Sequence, residues 1–386
     1  MAPAWRLRLI YFLYYGAVGI TLPYFAPYLR DLGFTGSAIG TVQMLSPLIA
    51  PATALSWAAL ADRTGAPERT LRLATTVSVA AALFLPLARI PLAVGAVVLF
   101  QAVGDRAVVP LLDSITMEHV HRTPGQSYAR IRLGGSLGFA VLALLGGWLL
   151  AWRGDRPADP LVPWLIFALV AGYAIAIRGL PPAAPPGGER PGWLAVRTLL
   201  GDRRLLLVLL CGAIHWMACA PFHLFFGLLV RDLKLPSVVT GLGMGAGVVA
   251  EMAVLLAFPK LAGRWSLKGL FATAFAGSAL RWMALSQAEG AAAVIGLQLL
   301  HGLTFGLFWG SSVEAMSRMV PAPLRATGQA LFTAVVFGVG NAVGYQLAGL
   351  GLDHYGRTAP LFAWAGAIEL LPLLGAAALM RRSRIV

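Results

Sequence analysis

Ten ionisable side chains fall inside long apolar runs of this sequence: Asp105, Arg106, Asp113, Glu251, Arg281, Glu314 and Glu369, with His215, His223 and His301. An ionisable group among apolar neighbours is costly, so each needs a partner, a wet cavity or a role. Their types and spacing suit two kinds of chemistry. A carboxylate and a guanidinium, such as Asp113 and Arg132, can hold a polar solute bidentately, or neutralise each other when it is absent. They serve equally as a fixed structural ion pair. A carboxylate near an arginine and a histidine, such as Glu251 with Arg281 and His301, can take up and release a proton. Removal from water favours the protonated acid, and a nearby cation favours the charged one. A permanent ion pair is the plain alternative. His301, Thr304, Phe305 and Phe308 lie on one helical stripe, which either lines a cavity or packs between helices. No nucleophile–base pair and no metal-ligand spacing appear, so neither an enzyme nor a resident cofactor or metal is expected. The Gly-rich stretch 241–247 follows no strand and precedes no Lys, which reads as close helix packing rather than a phosphate cradle.

These groups need long helices to position them. The chain has 386 residues, 58% hydrophobic and 12% charged, against about 25% charged in a soluble domain. Twelve apolar runs recur, at 7–29, 38–61, 71–89, 91–117, 128–152, 162–180, 204–230, 238–259, 268–287, 291–315, 325–350 and 358–380. About 20 apolar residues cross ~30 Å of hydrocarbon as a helix, so an all-α polytopic membrane protein of 12 transmembrane helices in a lipid bilayer is predicted. A membrane barrel would show ten-residue alternation instead. On these boundaries Asp113 lies near one end of span 4 and Arg132 about a turn into span 5, so they can meet at similar depth. Glu251 is thirteen residues into span 8.

The net charge of +14 does not indicate nucleic acid. With both termini cytoplasmic, 21 of the 30 Lys and Arg fall in cytoplasmic segments, seven in outer loops, and only Arg106 and Arg281 lie well inside a span. This is the positive-inside asymmetry. The first span is too long for a cleaved signal peptide and eleven spans follow it. Arginine outnumbers lysine 27 to 3, which points to a GC-rich bacterial genome and so to a multi-pass protein of the bacterial cytoplasmic membrane. Cys211 and Cys219 share span 7; a helix sets them about 12 Å apart, too far for a disulfide.

The chain also repeats itself. Arg30-Asp31-Leu32 returns 201 residues later as Arg231-Asp232-Leu233, Leu60-Ala61 as Leu261-Ala262, and Asp113 as Glu314. A repeated half in so apolar a chain implies a transporter whose substrate site lies between the halves. The polar, Pro-rich stretch 181–203 reads as a cytoplasmic linker between an N-terminal half, 1–180, and a C-terminal half, 204–386.

Six plus six spans with a central linker resembles the major facilitator superfamily. The loop after span 2, Ala58-Ala59-Leu60-Ala61-Asp62-Arg63-Thr64-Gly65, is similar to that superfamily's signature loop. The resemblance implies a cytoplasmic gate at Asp62 and Arg63; as plain chemistry they serve equally as topology charges. Glu314 joins such a gate by pairing with Arg318 or Arg325. Pro110 to Asp113, Tyr128 to Arg132, Ala250-Glu251, Arg281-Trp282 and Gln298 to Phe305 resemble the phenylpropionate-permease branch, with the lactose and nucleoside proton symporters as more distant relatives. The likeness to lactose permease implies substrate contacts at Asp113 and Arg132 and proton-coupling roles for Arg281 and His301. Thr304 stands where that permease carries its essential proton-bearing Glu, so Glu251 is taken as the replacement, with His301 second.

The sequence therefore predicts a secondary active transporter, a proton-coupled symporter of a small organic solute such as an aromatic acid, nucleoside or sugar, working as a monomer. The expected substrate contacts are Tyr24, Asp113, Arg132, Arg281, Trp282, Gln298 and Trp309, with Phe25, Trp216 and Phe305 as further aromatic wall. Proton coupling is expected at Glu251 and His301. A proton-driven exporter of drugs or metabolites is the runner-up, weakened because span 5 has Gly but no Pro. A receptor that kept the fold would have no use for intramembrane acids. The sequence alone gives no account of Asp105, Arg106 or Glu369.

Overall fold

The computed structural model describes residues 4–182, 197, 199–321 and 324–381. Among them there is no strand. Eleven helical stretches are long and apolar enough to cross a membrane: Ala4–Asp31, Gly36–Thr64, Pro67–Leu87, Pro91–Arg122, Tyr128–Trp152, Leu161–Arg178, Arg203–Asp232, Ser237–Arg264, Gly290–Met319, Thr327–Tyr355 and Ala359–Ala377. The remaining expected span is the 20-residue helix Leu267–Ser286, made less apolar by Lys268 and the buried Arg281. The chain is an all-α polytopic membrane protein, and its helices are numbered below as spans 1 to 12 in chain order. It divides into two compact units, Met1–Gly188 and Glu189–Val386. The expected linker lies largely outside the described residues, at 183–196 and 198.

Helix ends follow their local signals. Thr35 accepts the Ala38 N–H at 3.1 Å and starts span 2, which Gly65 ends in the left-handed region at φ 62°. Ser266 starts span 9 through the Gly269 N–H at 3.1 Å, and Asp202 starts span 7 through the Arg204 and Leu205 amides. Each side-chain acceptor satisfies an amide that the first helical turn leaves without a partner.

The repeat is visible as the same contacts made twice. Asp31, at the end of span 1, accepts the Ala158 N–H at 3.0 Å, just before span 6. Asp232, at the end of span 7, accepts the Thr358 N–H at 2.8 Å and its hydroxyl at 2.6 Å, just before span 12. Glycines set matching close crossings. A Cβ on Gly138 of span 5 would lie 2.1 Å from the Phe12 carbonyl oxygen of span 1. In the second unit a Cβ on Gly340 of span 11 would lie 2.9 Å from the Ala213 carbonyl oxygen of span 7. Lipid is as apolar as these side chains, so close packing rather than expulsion from water holds such crossings.

Spans 4, 7 and 12 are broken in mid-course, each just before a proline. Span 4 turns at Arg106 and Ala107, between Pro91–Asp105 and Val108–Arg122. Span 7 turns at Cys219, between Arg203–Ala218 and Ala220–Asp232, and span 12 turns at Glu369. Pro110, Pro221 and Pro372 lack the N–H that residues 106, 217 and 368 would otherwise bond, so the helical ladder opens at each point. Span 10 is irregular in another way: a 3₁₀ stretch at Leu297–Leu300 runs into a π-helical one at Gly302–Leu307.

Candidate functional site

In the N-terminal unit the polar side chains gather on tyrosines. The Tyr11 hydroxyl donates to Asp113 Oδ1 at 2.5 Å and lies 3.3 Å from the Thr116 hydroxyl. Arg132 donates to the Tyr15 hydroxyl. Its guanidinium carbon is 4.1 Å from the Tyr15 ring centroid and 5.2 Å from that of Tyr11. Asp113 and Arg132 are thus brought together, with Tyr11 touching both. Gly135 makes the fold-back possible, since a Cβ there would lie 2.7 Å from the Arg132 guanidinium. Asp105 takes hydrogen bonds from Tyr173 and, at 3.1 Å, from the Gln101 amide, while Arg106 donates to Ser46. Both residues at the span 4 break are therefore committed to neighbouring side chains. Tyr24 is buried, its hydroxyl donating to the Ala143 carbonyl at 2.7 Å.

The C-terminal unit holds a second array. Arg281 is fully buried. It donates to Gln298 Oε1 at 2.5 Å and lies 3.0 Å from His301 Nδ1. Its guanidinium carbon is 4.3 Å from the centroid of Phe222 and 4.4 Å from that of Trp282. Arginine only donates, so Nδ1 of His301 accepts and the ring proton sits on Nε2. That nitrogen faces Glu251 Oε2 at 3.6 Å, too long for a formed hydrogen bond. The expected proximity of Glu251 to Arg281 is thus mediated: His301 stands between them. Glycines bring it there. A Cβ on Gly302 would lie 2.7 Å from the Ala250 carbonyl oxygen, and one on Gly306 would lie 3.1 Å from that of Glu251, so spans 8 and 10 approach closely around His301.

Beside this array lies a patch of open polar atoms. Among the described residues Trp216 Nε1, His223 Nδ1 and Asn341 Oδ1 are buried without a hydrogen-bond partner. Trp216 and His223 have ring centroids 5.2 Å apart, and Trp216 also meets Phe337 at 4.5 Å and Phe305 at 5.3 Å. Asn341 Oδ1 and His223 Nδ1 can each take a further hydrogen-bond partner. Such a set can receive a solute carrying both donors and acceptors against flat apolar faces.

A third cluster joins His215, Cys219 and Glu369, which offer one ligand atom each within 4.8 Å. His215 Nδ1 is 2.8 Å from Glu369 Oε1 and Nε2 is 3.1 Å from the Thr304 carbonyl oxygen. A metal would have to break one of those bonds to gain the ring.

The MFS_1 like family model matches residues 4–363. The chain belongs to this family. Membership in this branch of the major facilitator superfamily makes it a transporter rather than an enzyme. A maltose permease of Geobacillus stearothermophilus is 32% identical over 339 residues, covering 86% of this chain and 83% of the relative. A probable 3-phenylpropionic acid transporter of Escherichia coli (strain K12) is 24% identical over 376 residues, covering 95% of each. A crystal structure of nucleoside transporter NupG, 16% identical, has the same fold, with a TM-score of 0.86 over 99% of this chain and 100% of that one.

The remaining expected positions make local contacts or are exposed. Asp62 and Arg63 are exposed in the last turn of span 2. Glu314 pairs with Arg318 at 2.6 Å, and Arg325 is exposed at the first residue of the helix Arg325–Phe332. Trp309 stacks on Phe337, with centroids 5.5 Å apart. The sequence reading missed Tyr11, Tyr15, Tyr173 and Asn341. The signal for the first two was present: three tyrosines, Tyr11, Tyr14 and Tyr15, within five residues of one span.

Proposed function

We propose that this transporter is a proton-coupled symporter that takes up a small organic solute by alternating access. The row Arg281–His301–Glu251 carries this reading. Arg281 is fixed by two polar and two aromatic contacts, and the Nδ1 of His301 is committed to it. Glu251 is the member whose charge can change while those bonds persist, with its side chain 20% exposed. A proton arriving on Glu251 cancels the charge that faces His301 Nε2–H across 3.6 Å. A change of one charge in a low-dielectric interior is a strong driver of conformational bias.

Two polar sets support solute binding. Asp113 and Arg132 offer a charged pair on a tyrosine platform in the first unit. Trp216, His223 and Asn341 offer open hydrogen-bonding atoms beside Phe305, Phe337 and Trp309 in the second. Relatives named for maltose and 3-phenylpropionic acid, and a structural neighbour named for nucleosides, support a solute of this size. The charge asymmetry supports cytoplasmic termini in a bacterial inner membrane.

Purified protein in liposomes tests the reading. Labelled maltose, nucleosides and 3-phenylpropionate are offered with the outside made acidic. At least one should enter faster and accumulate. Uptake of every solute that ignores the proton gradient would overturn the symport assignment.

A further inference from the structure

Glu369 is an acid that the symport reading leaves unused. It sits at the break in span 12, and neither its side chain nor that of His215 in span 7 is solvent-exposed. Glu369 Oε1 lies 2.8 Å from His215 Nδ1 and accepts from Trp282 Nε1–H at 3.4 Å. Among the described residues Oε2 has no partner.

The protons can be placed by what each atom is able to do. The Thr304 carbonyl, 3.1 Å from His215 Nε2, only accepts, so Nε2 carries a hydrogen. A neutral ring then has a bare Nδ1, which can bond Oε1 only if that oxygen brings the proton. An imidazolium facing a carboxylate is the other solution. In both, one proton lies on the Nδ1···Oε1 line and the pair is neutral overall. The buried Oε2, to which no described side chain or amide donates, decides between them. A carboxylate oxygen buried with no donor is far costlier than the carbonyl oxygen of a neutral acid. Cys219 Sγ lies 3.9 Å from His215 Nε2, and Oε2 takes no hydrogen bond from it.

The Thr304 carbonyl belongs to the π-helical stretch of span 10. In a regular helix it would accept from Phe308 N–H, but that amide bonds the Phe305 carbonyl instead. His215 Nε2–H bonds this carbonyl at 3.1 Å, with the ring held against Phe308 at 4.3 Å and Phe275 at 5.3 Å between centroids. The same stretch begins one residue after His301 and presents Phe305.

We propose that Glu369 is held as the un-ionised acid and that Glu369 and His215 are a positioning pair. The acid proton fixes the Nε2–H tautomer of His215, and that N–H holds the Thr304 carbonyl and with it the π-helical stretch that follows His301. The proton on this pair stays in place while transport proceeds.

The transport arm of the test rests on the symport reading; the spectroscopic arm does not. In the full-length protein, ¹⁵N-histidine spectra should show a neutral Nε2–H ring that disappears in His215→Gln. Infrared spectra should show a protonated-carboxyl band that disappears in Glu369→Gln. An imidazolium signal at His215, or no such band, overturns the acid assignment. Glu369→Gln keeps an N–H for Nδ1, losing only the long Trp282 contact. It should retain the tautomer and near-wild-type acid-driven accumulation, while Glu369→Leu should slow uptake at least about tenfold by misplacing span 10. A folded Glu369→Gln that still exchanges solute but no longer accumulates it overturns the positioning role, because the proton would then cycle through Glu369. If Glu251→Gln, assayed alongside, also accumulates normally, the symport assignment of Glu251 fails while the spectroscopic result on Glu369 stands.

Discussion

Arg281 donates to His301 Nδ1 across 3.0 Å, and this one contact fixes which nitrogen of the ring faces Glu251. The guanidinium reaches Gln298 and His301 at once while lying between Phe222 and Trp282. Lysine has a single ammonium head and cannot make that planar set. Arg281→Lys should leave at least one buried acceptor unpaired, at a cost of about 1–3 kcal/mol. Uptake should fall about tenfold or more, since 1.4 kcal/mol is a factor of ten. Initial rates in liposomes, compared at equal reconstituted protein, provide the check. A lysine variant with the wild-type rate would show that the planar geometry is not used.

Glu251→Gln keeps the size of the side chain and removes its ability to change charge. It should permit solute exchange across the membrane and abolish accumulation against a gradient. Counterflow and acid-driven uptake, measured on the same preparation, separate the two. Accumulation that survives the substitution would remove Glu251 from proton coupling.

Much of the membrane fold could be read from the sequence because apolar length and loop charge are local signals. Arg281, Gln298, His301 and Glu251 were likewise legible, since ionisable and polar groups stand out in an apolar run. What escaped depends on partners far apart in the chain. Tyr11 meets Asp113 across 102 residues, and a tyrosine in a span reads equally as packing or as an interface residue. His215 and Glu369 lie 154 residues apart, so no spacing rule joins them. Pro110, Pro221 and Pro372 were visible, but a proline in a membrane helix is tolerated in several ways. The sequence therefore did not say that Asp105 and Glu369 would sit at breaks.

The open atoms of Trp216 and Asn341 separate binding from stability. An unpartnered buried polar atom costs stability in the empty protein. Trp216→Phe removes such a donor and keeps an aromatic face, so the melting temperature should hold or rise while KM for the transported solute increases severalfold. Asn341→Ala should also raise KM. Thermal unfolding in detergent, read beside KM, makes the test. A fall in both stability and affinity would mark these residues as packing groups.

Asp232 accepts both the N–H and the hydroxyl of Thr358 at the start of span 12. Asp232→Ala removes a helix-start acceptor and should cost about 1–2 kcal/mol. Asp232→Asn retains an oxygen and should lose less. The order of melting temperatures, wild type above Asn above Ala, checks this; an alanine variant as stable as wild type would deny the clamp.

Asp159, in the loop before span 6, gives a pH-dependent version of the same argument. Burial pushes its carboxyl upward, but the Arg153 hydrogen bond at 2.7 Å, the Leu161 N–H at 2.9 Å and the charges of Arg153 and Arg156 outweigh it. The folded carboxyl therefore titrates below its ordinary value of 3.8. A carboxyl lowered on folding contributes stability that is fully present above the unfolded value, and it is lost as pH falls through the folded one. Between about pH 6 and about pH 3 the melting temperature of the wild type should drop further than that of Asp159→Asn, which cannot titrate. Near neutral pH the wild type should melt above Asp159→Asn, because the carboxylate is then ionised and bonded to Arg153. Parallel slopes for the two proteins across this range would show that the Arg153–Asp159 contact does not stabilise the loop.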